Sequence, residues 1–244
     1  MCIMERFFYL EQEPCVIHLP EKPNGFGVLV LGDYNYFVEN GTSLWMQHIG
    51  KAQMLEDLRK QGYTIFSSNL YGRHWGSEKA VQLAKRLYHI VMKKEILNEK
   101  IHMIAEGMGA LVALEIMHSM PELVRSSVMF NPCLDLSAHL ELEKEHKFFY
   151  KRLMRELQIA YETTEEKIRQ ATVQKSFHRY ASSVPVKMFI PIHERKERKL
   201  IYREYEQKRQ KEGNPISLSF HLQDNKYKMT GSISQFFKKY ETYL

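Results

Sequence analysis

Ile101-His102-Met103-Ile104-Ala105-Glu106-Gly107-Met108-Gly109-Ala110-Leu111-Val112-Ala113-Leu114 is the stretch whose reading decides the fold. Its first five residues form a short apolar run of strand length. Glu106 to Gly109 then reads as a tight small-residue turn, and an apolar helical run continues to Met120, where Pro121 stops it. Strand, tight turn and helix in that order are the layout of a nucleophile elbow, whose strained turn lifts one side chain over backbone N–H groups. In the G-x-S-x-G form of the elbow the central residue attacks. Here the frame reads Ala105-Glu106-Gly107-Met108-Gly109, and Gly107 has no side chain to attack with. Glycine does accept the positive φ of such a turn at little steric cost.

Outward from the elbow, apolar runs alternate with helical patterns, which predicts an α/β fold with a mostly parallel sheet flanked by helices. Strands are expected at residues 26–31, 64–68, 101–105, 126–130, 186–192 and 216–222, with an edge hairpin from 5–10 and 15–19. Helices are expected at 48–61, ending before Gly62, at 77–94 with Ser77 as N-cap, at 108–120 and at 232–243. Residues 137–182 break the alternation. They are helical throughout, with Leu140, Phe148, Phe149, Leu153, Leu157 and Tyr161 as an apolar stripe and Thr163-Thr164-Glu165-Glu166 as a capping box. The simplest organisation is one domain over residues 1–244, with 137–182 inserted as a helical lid over the sheet edge where α/β folds bind ligands, or as helices that only cover core.

With 44% hydrophobic and 26% charged residues the composition is that of a globular protein. No run approaches the roughly 20 apolar residues of a membrane span, and the start has no signal-peptide pattern. Cys2, Cys15 and Cys133 are too few and too scattered for a disulfide framework or a zinc site, so a reduced, cytoplasmic setting is expected. The formal charge of +6 is concentrated near Arg195–Lys199 and Arg203–Lys211, where Glu204, Glu206 and Glu212 interleave. That pattern predicts a solvated helix face, with Glu204 and Lys208 as an i,i+4 pair, rather than a nucleic-acid surface. The histidines lack metal-ligand spacing, and Gly25-Phe26-Gly27 precedes a strand, so neither a metal nor a dinucleotide or other cofactor is expected.

Together these segments resemble the α/β-hydrolase superfamily of esterases, lipases and thioesterases, over roughly residues 25 to 244. Val28-Leu29-Val30-Leu31-Gly32-Asp33-Tyr34 is similar to the strand and loop that supply one oxyanion N–H. Asn69 to Ser77 is similar to the glycine-containing loop before the next helix, and Val184 to Ile192 to the late strand that ends near the catalytic acid. The resemblance implies a Ser, Asp/Glu, His triad. It places Gly107 at the nucleophile, Glu194 as the acid (Asp135 as a second candidate), and Lys226 near the histidine, with His221 a few residues earlier. Without a hydroxyl in reach of an imidazole, the standard acyl transfer cannot begin.

Two functional readings follow, beside a third in which the basic stretch from Arg195 to Lys211 binds an acidic partner. The first is a pseudohydrolase that binds a small apolar or acyl-type molecule, or a protein partner, through Gly32, Asp33, Tyr34, Gly107 and Met108. The second is an active esterase or thioesterase with unusual machinery. Cys133 would be its nucleophile, Glu106 a base for water, or His193 a catalytic imidazole; each has an ordinary alternative as a packing or surface residue.

Overall fold

The computed structural model describes residues 4–222 and 229–241. A hairpin of β1 (Glu5–Leu10) and β2 (Glu13–His18) leads into β3 (Gly27–Leu31). A short hairpin of β4 (Val38–Glu39) and β5 (Thr42–Ser43) follows, then α1 (Leu44–Gln47) and α2 (Ile49–Lys60). Next come β6 (Thr64–Ser68), α3 (Glu78–Lys94), β7 (Ile101–Glu106), α4 (Gly109–Ser119) and β8 (Val124–Phe130). Three helices, α5 (Leu136–Glu143), α6 (Lys147–Tyr161) and α7 (Glu165–Val173), intervene before β9 (Val186–Pro191). The described chain closes with α8 (Lys196–Lys211), β10 (Ile216–His221) and α9 (Thr230–Lys239).

Among the described residues the main sheet is ordered β1-β2-β6-β3-β7-β8-β9-β10. β1, β2 and β6 pair antiparallel, and every pairing from β6 to β10 is parallel. The chain runs outward from β3 to β6, then crosses back to place β7 on the other side of β3. That reversal leaves a crevice beyond the C-terminal ends of β3 and β7, the place where open α/β sheets hold ligands. β3 and β6 are buried at every position, and β3 accordingly reads as a continuous apolar run rather than an alternating one.

One face of the sheet packs against α3, α4 and α8, and the other against α2 and α9. α4 is apolar nearly all round because it is covered twice. Ala110, Val112 and Ala113 face the sheet, while Leu111 and the preceding Met108 pack with Trp75, Leu140, Leu153 and Leu157 under the inserted helices. Two expected caps are absent: Ser77 and Thr164 stand at the N-cap positions of α3 and α7, but neither side chain makes a capping bond. The expected Glu204–Lys208 pair is also replaced. Lys208 Nζ donates instead to the carbonyls of Tyr180 at 2.8 Å and Phe177 at 3.1 Å, and Glu204 faces His178. Arg209, 3% exposed, donates to the carbonyls of Val184 and Pro215. Part of the basic helix therefore secures the loop into β9 rather than meeting solvent.

Two buried histidines make this fold acid-sensitive. Burial lowers His18 to about 3, with the Arg59 charge adding to the effect, and burial lowers His74 to about 4. Both stay neutral in the fold while the unfolded chain takes up protons near pH 6.5. Stability is therefore complete above that pH and falls with acidification, by about 1.4 kcal/mol per pH unit for each histidine. Urea midpoints measured between pH 7 and 4.5 should decline, and His74→Gln should flatten the decline. A midpoint constant across that range would contradict it.

Candidate functional site

The crevice is built around the turn from β7 to α4. Gly107 has φ of +48°, its N–H donates to the Phe130 carbonyl at 3.0 Å, and its carbonyl accepts the Cys133 N–H at 2.8 Å. The turn is thereby tied to the end of β8. On its other side Gly109 lies so close to β3 that a Cβ would overlap the Leu31 carbonyl. The elbow is consequently held between the two neighbouring strands, with no slack for a larger residue at its helix entry.

Over Gly107 stands Asp33, from the loop after β3. A Cβ built at position 107 would overlap the Asp33 carboxyl carbon and both of its oxygens. Asp33 Oδ1 also accepts the Met108 N–H at 3.1 Å. In an acyl-transfer elbow, the N–H of the residue after the nucleophile helps bind the oxyanion. The corresponding N–H here is engaged by a carboxylate of the same chain, and that carboxylate fills the volume above a glycine.

Beside this contact lies a cavity of about 150 Å³, lined by Asp33, His48, Lys51, Glu106, Gly107 and Asn131 among others. Lys51, on α2, forms an ion pair with Glu106, and its ammonium stands 5.8 Å from the Trp45 ring centroid. Glu106 is therefore held by a cation rather than standing free in the cavity. Asn131, at the end of β8, has φ of +44° and accepts the Tyr202 hydroxyl at 3.0 Å on Oδ1. Lys51 and Asn131 escaped the sequence reading, because neither sits in a motif; only the strand order brings them to the elbow.

The other residues expected at the site are dispersed. Cys133 is buried, and desolvation pushes its thiol up to about 12, so it does not present a thiolate. His193 is exposed, past the end of β9. Glu194 accepts the Arg195 N–H at 2.9 Å and faces Arg198 at 3.4 Å, so its carboxylate serves a guanidinium rather than an imidazole. Asp135 caps α5 through the Ala138 N–H at 2.7 Å and accepts the Ser176 hydroxyl at 2.5 Å, a structural use of both oxygens. His221 ends β10, with Nδ1 3.0 Å from the Leu222 carbonyl. Lys226 lies outside the described residues. Of the expected ligand contacts, Met108 has its side chain in the core beneath the inserted helices, and Gly32 is closely covered by the Tyr36 ring. Tyr34 is 44% exposed, on the flank of a second cavity. Among the described residues no cluster of His, Cys, Asp and Glu could hold a metal ion.

No family model matches the chain, and no curated protein does. Solved structures do. An acylaminoacyl peptidase in complex with a chloromethyl ketone superposes with a TM-score of 0.73 at 11% identity, covering 98% of this chain and 42% of the peptidase. A Mycobacterium tuberculosis puromycin-hydrolysing peptidase gives 0.74 at 11% identity, over 98% of this chain and 40% of the peptidase. The Francisella virulence factor BioJ gives 0.64 at 15% identity, over 96% and 84% of the two chains. The fold is that of the α/β-hydrolases. This chain thus spans about two fifths of the length of the two peptidases and most of that of BioJ.

Within this α/β-hydrolase fold, a serine, a histidine and a carboxylate do meet, but away from the elbow. His102 Nδ1 lies 2.8 Å from Ser126 Oγ and its Nε2 lies 3.7 Å from Glu241 Oε1. Both Ser126 and His102 are 0% exposed, at the beginnings of their strands, and Phe237 stacks on the imidazole with centroids 4.1 Å apart. The array is core; no substrate reaches it. The inserted helices are fastened to the loop after β6 by Glu156 of α6. It accepts Trp75 Nε1–H at 3.0 Å and Arg152 Nε–H at 2.9 Å, and it pairs with Arg73. Trp75 in turn stacks on His139 at 5.3 Å, and its carbonyl accepts the Tyr161 hydroxyl at 2.8 Å. Alongside this clamp lies a cavity of about 270 Å³, walled by Tyr34, Trp75, His139, Phe149 and Leu153 together with the charged Glu143, Arg152 and Glu156.

Three substitutions test this geometry. Gly107→Ser should destabilise the protein by about 2 kcal/mol, from overpacking against Asp33 and the positive φ. In an Asp33→Ala background the penalty should fall to about 1 kcal/mol, and additive effects in the urea-unfolding cycle would refute the contact. Glu156→Ala leaves three donors without their acceptor and should cost about 2 kcal/mol or more. It should also expose α6 to limited proteolysis, which an unchanged digestion pattern would contradict.

Proposed function

We propose that this chain is a catalytically silent α/β-hydrolase-fold protein that acts by binding. The observation that carries the reading is the Asp33 carboxylate over Gly107, accepting the Met108 N–H. An oxyanion developing at that point would meet a negative charge where it needs a donor, so the feature that speeds acyl transfer is inverted. The engaged Glu106 and the protonated Cys133 argue against an alternative base or nucleophile at the same place. The polar cavity of about 150 Å³ is a poor fit for an acyl chain. An apolar or aromatic small molecule is better matched to the cavity beside Tyr34, Trp75 and Phe149. A protein partner remains the other class of occupant for such a protein.

The test is turnover of short- and medium-chain acyl esters, thioesters and small peptides. The native chain would be assayed beside Gly107→Ser and the double variant Asp33→Ala, Gly107→Ser. The native chain and the single variant are expected to match the rate without protein. Saturable native turnover at about 1 s⁻¹ or faster, surviving repeated purification, would overturn the proposal.

A further inference from the structure

Helix α6 is amphipathic in an unusual sense. Leu153, Met154, Leu157 and Ala160 are buried toward the body of the protein. The opposite side, on a 3.6-residue repeat, carries Phe148, Arg155 and Ile159, with Lys151 and Arg152 beside them. A soluble helix is expected to be most polar there. Instead Phe148 is 73% and Ile159 74% exposed, about 16 Å apart along the axis at 1.5 Å per residue. Phe149, 51% exposed, packs edge-on against Phe148 with ring centroids 5.7 Å apart. Scattered apolar side chains on a surface are ordinary, but two large ones on the outward side of one helix, with Phe149 on its flank against one of them, mark a contact surface.

The charges around them indicate what kind of contact. Lys147, Lys151 and Arg155 are exposed and have no carboxylate partner among the described residues, whereas Arg152 is occupied by Glu156. Lysines are depleted at the centre of protein–protein interfaces. Unpaired cations interleaved with Phe and Ile suit a surface that offers phosphate and carboxylate groups above an apolar layer. The geometry fits as well, since a straight helix lying on its side brings Phe148 and Ile159, about 20° apart round the axis, to one plane. The clamp at Glu156 holds α6 in that attitude without any opening of the inserted helices.

We infer that the outward face of α6 docks on an anionic lipid surface. Phe148 and Ile159 enter the headgroup layer, and Lys147, Lys151 and Arg155 meet the lipid anions. Phe149 also walls the cavity beside Tyr34 and Trp75, so docking brings the mouth of that cavity to the headgroups. The inference goes beyond catalytic silence and does not depend on it.

Flotation of the full chain with mixed phosphatidylcholine–phosphatidylserine vesicles, against phosphatidylcholine alone, tests it. Binding is expected to the mixed vesicles and to weaken as salt is raised. The double variant Phe148→Ser, Ile159→Ser should reduce the partition coefficient about tenfold or more. Lys147→Gln with Lys151→Gln should reduce it by about tenfold on the mixed vesicles only. All of these side chains are exposed, so the melting temperature serves as the folding control and should not move. No flotation with the mixed vesicles would overturn the inference, as would flotation indifferent to the Phe148, Ile159 variant. So would a dimer in sedimentation velocity that the same variant abolishes, since the face would then belong to a second copy.

Discussion

A backbone N–H can serve one strong acceptor at a time, and at the centre of this molecule that acceptor is a carboxylate of its own chain. Asp33 reaches the Met108 N–H because β3 and β7 are adjacent and the elbow is drawn tight between β3 and β8. The remaining crevice chemistry is arranged around that charge. Lys51 neutralises Glu106 nearby, and Arg198 contributes positive potential from α8 while holding Glu194 and the Asn131 carbonyl. The result is a satisfied polar floor in which carboxylates meet cations or backbone donors. Such a floor stabilises a fold and leaves little unspent electrostatics for chemistry.

The inserted helices have a similar economy. Their core continues the apolar surface of α4 through Met108 and Leu111, and a partly buried glutamate and the Tyr161 hydroxyl tie them to the loop after β6. That loop carries Leu70, Tyr71 and Trp75 at positive φ, a conformation costly for side chains of that size. It is held by the Glu13 carboxylate on the Tyr71 N–H and by the burial of His74 and Trp75. The strain is thus contained by tertiary contacts on both sides.

How much of this could be read from the sequence depended on whether the interaction was local. The β7 elbow, the buried central strands and the edge hairpin follow from periodicity and short-range turn chemistry, and they were legible. Asp33 was legible as a residue near the site but not as the partner of Gly107, because 74 positions of sequence separate them and only strand order joins them. The cations of α8 read as a solvated face for the same reason: helical spacing reports the neighbours along the helix, not the bare carbonyls of the segment packed against it. Glu194 occupied its expected place past β9, yet the arginine one turn further on claimed it. The Ser126, His102 and Glu241 array shows the converse, since a connectivity that looks catalytic in plan is only packing once burial is known.

The contact between Asp33 and position 107 also shapes which substitutions are open to the protein. A hydroxyl introduced at 107 meets an occupied space, while trimming residue 33 alone leaves an anion-binding notch with nothing to attack beside it. Each step by itself is either strained or without benefit. Movement along the route to acyl transfer therefore needs two coordinated replacements, and the present pair is insulated from gradual change in that direction. The glycine and the aspartate behave as a single unit, written in the loops that follow two different strands.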